Sequence, residues 1–600
     1  MRHSPFKIPL AKWLVGLMLG AATLVRILYF LEIRDRPDFS HPGLDAAYHD
    51  YWARGIAFSE WTPPPDQPGP LIRTHPYFRP PGYPFFLALV YRLTGGCPGP
   101  AHLAQFALGL LNIFLLWKFV RRWFGTPAAL GSTLLACTYW GFVYYEGEWL
   151  EPTLLITLTW ALLFALARWR DTPRLQWLFF AGLALGASAL VRPNALLLAP
   201  LAAVWVLWIA RPPCRKIHTA FPSVMVLAAG TMLVIAPVTL RNALAGKDRV
   251  LISSNGGINL LFGQDRNAIV DHASDASGNW NCFQYPLLLA QASSEAGRPL
   301  KPSEASRGYA ARARALMIAH PRETLRLLAL KTLLFWGPID VANNKVEELE
   351  RRDSRVLSRL PIRFSFILAT GLLGLLILLG RRPSLPRATF EMAMLLAGLG
   401  IVYFLSFLPF IAAGQYRVPL IPLLMVPAGV GLAEIAQALA GRRWTAAGTG
   451  LLGGTLLWAL VAPNYAGYIL QPARFHLARG IAAERAGHLE EAESRYQAAR
   501  HEGPGLAVAH DRLGILYARQ NRLPEAISCF ESAVAIDSAS VETRFRLALA
   551  YSLAGRVENA IPLYESVLRE HPGHSEARQN LATARRVTGF TLPPVPESAP

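Results

Sequence analysis

The sequence predicts an all-α chain in two parts: a polytopic membrane region of about eleven transmembrane helices, followed by an α-solenoid. Three observations carry this reading. Of the 600 residues, 52% are hydrophobic and only 16% are charged, a balance that suits a chain solvated largely by lipid. Apolar runs of roughly bilayer length recur between Trp13 and Val461, and those expected to return to the cytoplasm end in Arg or Lys. Beyond about residue 470 these runs stop and a repeat of 34 residues begins.

The same pattern excludes several function classes. A formal charge of +19 would suggest nucleic acid in a soluble chain. Here the Arg doublets follow apolar runs, where cytoplasmic retention accounts for them, and no basic face with interleaved aromatics occurs. The five cysteines, Cys97, Cys137, Cys214, Cys282 and Cys529, have no CxxC or Cys/His spacing, so neither a zinc site nor a disulfide framework is indicated. A Cys97–Cys282 bridge is the one pairing that two outer loops would allow. No Walker pattern is present and Asn255-Gly256-Gly257 reads as a turn, which disfavours a cytosolic nucleotide-sugar donor.

In chain order, basic residues precede Trp13–Leu31, read as an uncleaved first span with its N-terminus in the cytoplasm. The polar stretch from Gly43 to Leu93 then lies outside. Pro84–Thr94 is too short to span and reads as a surface helix. Crossings follow at Ala101–Val120, Ala128–Tyr145, Leu150–Ala167, Trp177–Val191, Ala195–Ala210 and Phe221–Leu240. A polar gap of mixed structure extends over 241–330, long enough to need a fold or a function of its own. Leu325–Trp336 reads as a second surface helix, with Lys331 snorkelling from it. The last crossings are Phe364–Leu379, Met392–Ile411, Val418–Leu439 and Ala447–Val461. An odd number of spans leaves the C-terminus outside.

In the final region Leu513, Gly514, Tyr517, Ala526, Phe530 and Ala533 recur 34 residues later as Leu547, Ala548, Tyr551, Ala560, Tyr564 and Val567, with an earlier copy at Gly480, Ala492, Tyr496, Ala499 and Pro504. This resembles the tetratricopeptide repeat, a helix pair whose small residues permit close packing while aromatics fill the gap. The expected organisation is a membrane domain over 1–470, with a catalytic loop at 33–95 and a large loop at 241–330. Repeats follow over 473–588, and a Pro-rich disordered tail over 589–600.

Six segments carry a second resemblance: LDAAYHDYWARGIA, FRPPGYPFFLAL, YYEGEWLEPTLLITL, ALVRPNALLL, APVTLRNALAGKDRVLISSNGGINLLFG and GQYRVPLIPLL. In this order they resemble the GT-C-fold glycosyltransferases that use polyprenyl-phosphate sugars, the branch of protein mannosyltransferases and the aminoarabinose transferase of lipid A. One departure is Val238 after Pro237, where the family often has Trp. The resemblance implies an inverting transfer of sugar from a polyprenyl-phosphate carrier to an acceptor hydroxyl, on a protein or an envelope glycan or lipid, at the periplasmic face of a bacterial inner membrane.

That chemistry needs a carboxylate to take the acceptor's proton and cations to hold the departing phosphate. Asp45 matches the family's first-loop acid, the expected general base; its alternative role is to cap the helix beginning near Ala46. Asp50, Glu148 and Glu151 are further catalytic candidates, the last two spaced to share one helical face. Tyr48, Arg79, Arg192, Arg241, Tyr416 and Arg417 are the candidates for binding lipid phosphate and sugar. Three of the arginines, Arg192, Arg241 and Arg417, sit at outward helix ends where the positive-inside rule does not explain them. No cofactor is required; the residues leave open a divalent metal held by Asp45 and His75. The expected partners are the lipid-linked sugar, the bilayer, and an acceptor protein or glycan recruited by periplasmic repeats. Two alternatives keep the same layout: a repeat-bearing scaffold for envelope assembly, and a lipid-phosphate transporter.

Overall fold

Between helices in lipid, association relies on close backbone approach, because the tails outside are as apolar as the side chains within. In the computed structural model, which describes residues 8–64, 67–210, 220–265 and 282–589, glycines provide that approach. A Cβ at Gly374 would run into the Pro427 carbonyl, at Gly429 into that of Ala128, and at Gly182 into that of Leu227. Three helix contacts are fixed in this way: Phe364–Gly380 on Ile421–Ala440, Ile421–Ala440 on Thr126–Thr138, and Leu175–Val191 on Ala220–Gly246. Ser132 tightens the second contact, its hydroxyl donating to the Met425 carbonyl at 2.8 Å.

Among the described residues seven helices are long and apolar enough to cross a membrane: Leu10–Ile33, Pro98–Phe124, Pro152–Asp171, Phe221–Gly246, Arg387–Phe407, Gly414–Ala440 and Trp444–Val461. Three shorter apolar helices, Leu175–Val191, Pro193–Ile209 and Phe364–Gly380, fall at expected crossings. The other expected crossing, Ala128–Tyr145, is two helices, Thr126–Thr138 and Trp140–Glu146. Between them Tyr139 is extended and forms an isolated parallel bridge with Ile362.

The described residues of the large loop are helical rather than mixed, forming Gly256–Phe262, Tyr285–Glu295, Pro302–Ala319 and Pro321–Trp336. Asn255 therefore precedes a helix where a plain turn was expected, and Gly257 packs on the Ser306 carbonyl. Lys331 does not snorkel. It is buried, and its ammonium donates to the carbonyls of Gly263 at 2.6 Å and Pro409 at 3.2 Å, because the loop folds over its helix.

The described residues divide into two compact units, one running to Ile469 and the other from Leu470. The second holds three helix pairs, Pro472–Arg485 with Leu489–Glu502, Ala507–Arg519 with Leu523–Ile536, and Val541–Leu553 with Val557–Glu570, then the helix Ser575–Val587. The repeat positions do the packing expected of them. Ala492, Ala526 and Ala560 are wholly buried, and a Cβ on Gly480 or Gly514 would lie 2.6 or 2.7 Å from the ring of Tyr496 or Phe530. The tail from Phe590, and Cys214, lie outside the described residues.

Gly374→Ala should destabilise the membrane unit by about 1–3 kcal/mol through forced separation of two helices. The expected result is a lower thermal midpoint in detergent, with Gly380→Ala, at an open position, as the unaffected control.

Candidate active site

The helix Leu44–Phe58 starts from an extended Gly43, and Leu44 takes a left-handed φ of 46° that L residues rarely adopt. Asp45 therefore enters the first turn rather than capping it, and no side chain caps this helix at its Gly43 N-cap. The Asp45 backbone N–H donates instead to Asn344 Oδ1 at 3.1 Å. Its carboxylate is paired with Arg79 and accepts from Asn344 Nδ2 at 3.3 Å. Arg79 also donates to Cys282 Sγ at 3.1 Å. Burial pushes the Asp45 carboxyl up, but the charges of Arg79 and His49 with the hydrogen bonds of Arg79 and Asn344 prevail and hold it below the usual carboxylate range. Cys97 and Cys282 are both free thiols, and burial pushes the Cys282 thiol up to about 12.

A second cluster joins Glu151, Arg192 and Tyr416. Glu151 forms a buried ion pair with Arg192, whose guanidinium lies 4.6 Å from the Tyr416 ring centre and 5.1 Å from that of Phe407. Tyr416 and Phe407 stack at 5.0 Å. His49 feels both clusters: burial and Arg79 lower its pKa, while Glu151 and Asp45 pull it up.

Glu148 belongs elsewhere. The helix Trp140–Glu146 ends before it and the next begins at Pro152, so the shared helical face expected of Glu148 and Glu151 does not form. Lys345 bridges Glu148 and Asp38 at 2.6 Å each. These three groups line a narrow cleft together with His102 and Trp149. Burial raises the Glu148 carboxyl from 4.5 to about 7 against the opposing pull of Lys345.

The remaining candidates have other tasks in this arrangement. Asp50 faces away from Asp45 and accepts from Tyr91 at 2.6 Å and Arg54 at 3.1 Å, with burial raising its pKa. Tyr48 is buried edge-on between Trp52 and Phe283. Arg241, expected at phosphate, lies 4.0 Å from the Tyr77 ring centre and donates to the carbonyls of Ile72 and His75, fixing the loop that leads to Arg79. Arg417, also expected there, is enclosed. It pairs with Asp340, donates to the carbonyls of Phe335 and Gly337, and sits 4.0 Å from the Phe364 ring centre. The postulated metal pair is not brought into one set of contacts. His75 Nδ1 is 2.9 Å from Thr74 Oγ1, Asp45 has the partners given above, and among the described residues no group of three His, Cys, Asp or Glu could hold a metal.

Sequence reasoning missed Asp38, His49, Asn344, Lys345 and Gln415. The one signal for two of them is the polar run Asn343-Asn344-Lys345, just beyond the apolar stretch that ends at Trp336. Nothing in the spacing links it to Asp45, 299 positions earlier.

Residues 78–240 match the family model of dolichyl-phosphate-mannose-protein mannosyltransferases. Residues 477–541 and 512–575 match that of the tetratricopeptide repeat. The chain is thus a multi-pass helical membrane protein, and its similarity to that transferase family runs from the end of the first loop through the spans that follow. Its C-terminal unit is a tetratricopeptide-repeat solenoid. Among solved structures, ArnT from Cupriavidus metallidurans bound to undecaprenyl phosphate aligns over 96% of this chain and 89% of its own, at 16% identity and a TM-score of 0.39. The same protein in the apo state aligns over 92% and 80%, at 18% and 0.38. The Archaeoglobus fulgidus oligosaccharyltransferase in the apo form aligns over 82% and 60%, at 15% and 0.42. TM-scores below 0.5 leave these likenesses without weight for function. No curated protein matches the sequence significantly.

Two outcomes follow from the buried charges. Removing one partner of the Glu151–Arg192 pair leaves the other charge uncompensated, so Arg192→Met should cost about 3–5 kcal/mol, and the double variant with Glu151→Leu should recover most of it in thermal unfolding. Glu148, whose folded pKa lies above its unfolded value, contributes stability that is full below about pH 4 and is lost as pH rises through about 7. Glu148→Gln should flatten that part of the stability profile.

Proposed function

We propose that the protein is an inverting glycosyltransferase that moves a sugar from a polyprenyl-phosphate donor to an acceptor hydroxyl at the periplasmic face of a bacterial inner membrane. The observation that carries this reading is the Asp45–Arg79 pair, which sets an ionised carboxylate beside a cation at the threshold of the segment matching the mannosyltransferase family. Asp45 takes the proton of the acceptor hydroxyl as its oxygen attacks the anomeric carbon. The bond from that carbon to the phosphate oxygen breaks, and the lipid phosphate leaves with its new charge held by Arg79 and Arg192. Both arginines already sit against carboxylates, so a phosphate that draws on Arg79 leaves Asp45 less compensated and therefore more basic. Arg417 and Arg241 support the site through Asp340 and through the loop of Tyr77. The driving force lies in the donor's phosphate bond, and no nucleotide is consumed.

The first span runs outward in this reading, the repeats share the outer face with the site, and they recruit an acceptor protein on their concave surface. The family's name favours a protein acceptor.

Purified protein in liposomes with a radiolabelled polyprenyl-phosphate hexose and a periplasmic extract should release lipid phosphate and label an acceptor. Asp45→Asn should lower kcat by about 10²–10⁴. Full activity in the Asp45→Asn, Asp50→Asn double variant would refute the assignment of the base, and absence of any sugar release by the wild type would refute the activity. Truncation after Ile469 should leave donor cleavage intact while narrowing the range of labelled proteins; an unchanged range would remove recruitment from the repeats.

A further inference from the structure

The stretch between Pro321–Trp336 and Glu347–Asp353 carries no motif, yet its side chains touch most of the segments that hold site residues. Asp340 pairs with Arg417, the Val341 carbonyl accepts from the Gly414 N–H at 2.8 Å, and Lys345 bridges Asp38 and Glu148. Asn344, held between these anchors, makes three hydrogen bonds with a complete division of labour. Its Oδ1 accepts from the Asp45 backbone N–H at 3.1 Å. Its Nδ2 donates to Asp45 Oδ2 at 3.3 Å and to Gln415 Oε1 at 3.2 Å. Gln415 is buried, 1% exposed, so it offers Asn344 a fixed acceptor.

We propose that Asn344 is the positioning residue for Asp45, gripping the amide and the carboxylate of that residue at once and so aiming the free lobe of the carboxylate at the acceptor hydroxyl. The inference rests on Asp45 being the base. Two features of Asp45 call for such a grip. Its helix begins without a side-chain cap and from a left-handed Leu44, so the first turn lacks a local means of holding its shape. Among the described residues its carboxylate is otherwise hydrogen-bonded by Arg79 and the Cys282 thiol, 3.5 Å from Oδ1, and in the proposed reaction Arg79 turns to the leaving phosphate. Oδ2 is the oxygen that Asn344 holds while Arg79 is engaged elsewhere.

The test is steady-state kinetics on the full-length protein in liposomes with the polyprenyl-phosphate hexose, alongside thermal unfolding of the same preparations. Asn344→Asp keeps the acceptor for the Asp45 amide but replaces the donor with a charge that repels the Asp45 carboxylate; Asn344→Leu removes both hydrogen-bonding groups without adding charge. Each should lower kcat by about 10- to 100-fold, as expected for a misaimed catalytic group, while donor KM stays within about threefold because the phosphate cations are untouched. A full kcat in Asn344→Asp overturns the proposal, as does a loss of activity that only follows the fraction of protein folded. Asp45→Asn is measured in parallel. If that variant is active, the assignment of the base has failed; if it is inactive while Asn344→Asp is fully active, only the positioning role has failed.

Discussion

A charge taken out of water must meet an opposite charge or a set of dipoles, and in a membrane protein water is not at hand to excuse an exception. That constraint shapes the end of the membrane unit that carries the candidate site. Arg26 in the first span is buried with Glu146, two hydrogen bonds of 2.6 and 2.7 Å closing the pair. Gly109 is what makes room for it, since a Cβ there would occupy the space of the Glu146 carboxyl. The pair fixes the end of the helix Trp140–Glu146, and the chain between that helix and Pro152 is where Glu148 and Glu151 diverge toward separate cations. Each charge match therefore sets the position of the next.

The same constraint explains why the proposed base is ionised in a poorly hydrated place. Burial alone would protonate Asp45, yet Arg79, His49 and Asn344 more than offset it. The arrangement has a functional corollary. A carboxylate stabilised this firmly is a weak base in the resting site, and it strengthens when its cation is drawn away to a phosphate. Donor binding and activation of the base are then one event, which would restrain the carboxylate until a donor is present to be used.

How much of this was legible in the sequence depended on the range of the interaction that decides it. The spans were readable because hydropathy is a property of consecutive residues, and their ends differ from the observed helices by only a few positions, as in Met392–Ile411 against Arg387–Phe407. The repeats were readable because Gly514 and Phe530 answer to the same packing demand as Ala548 and Tyr564. The break at Tyr139 was not readable, since its cause is a backbone bridge to Ile362. Site residues followed the same rule. Asp45 and Arg79 lie 34 residues apart in one loop, and the sequence singles out both residues that the structure pairs. Arg417 was expected at phosphate from its outward placement and its family match, and its partner Asp340, 77 positions away, cannot be read from either. Asn344 and Lys345 escaped for that reason as well.

Among the described residues several buried polar atoms around the two clusters have no hydrogen-bond partner: Arg79 Nε, Gln415 Nε2, the Tyr403 hydroxyl and Glu151 Oε2. Buried polar atoms are nearly always satisfied, so a local concentration of exceptions asks for a cause. Three of these can donate and one accepts. A hydrocarbon ligand would leave all four unsatisfied, and a simple anion would serve the donors while repelling the Glu151 oxygen. Anionic oxygens would suit the donors and a hydroxyl would suit Glu151, and the donor proposed above carries both kinds of group. The stacked Tyr416 and Phe407 add an apolar face beside it, suited to the ring of a sugar. Three of the four atoms, on Gln415, Tyr403 and Glu151, lie outside the Asp45–Arg79 pair.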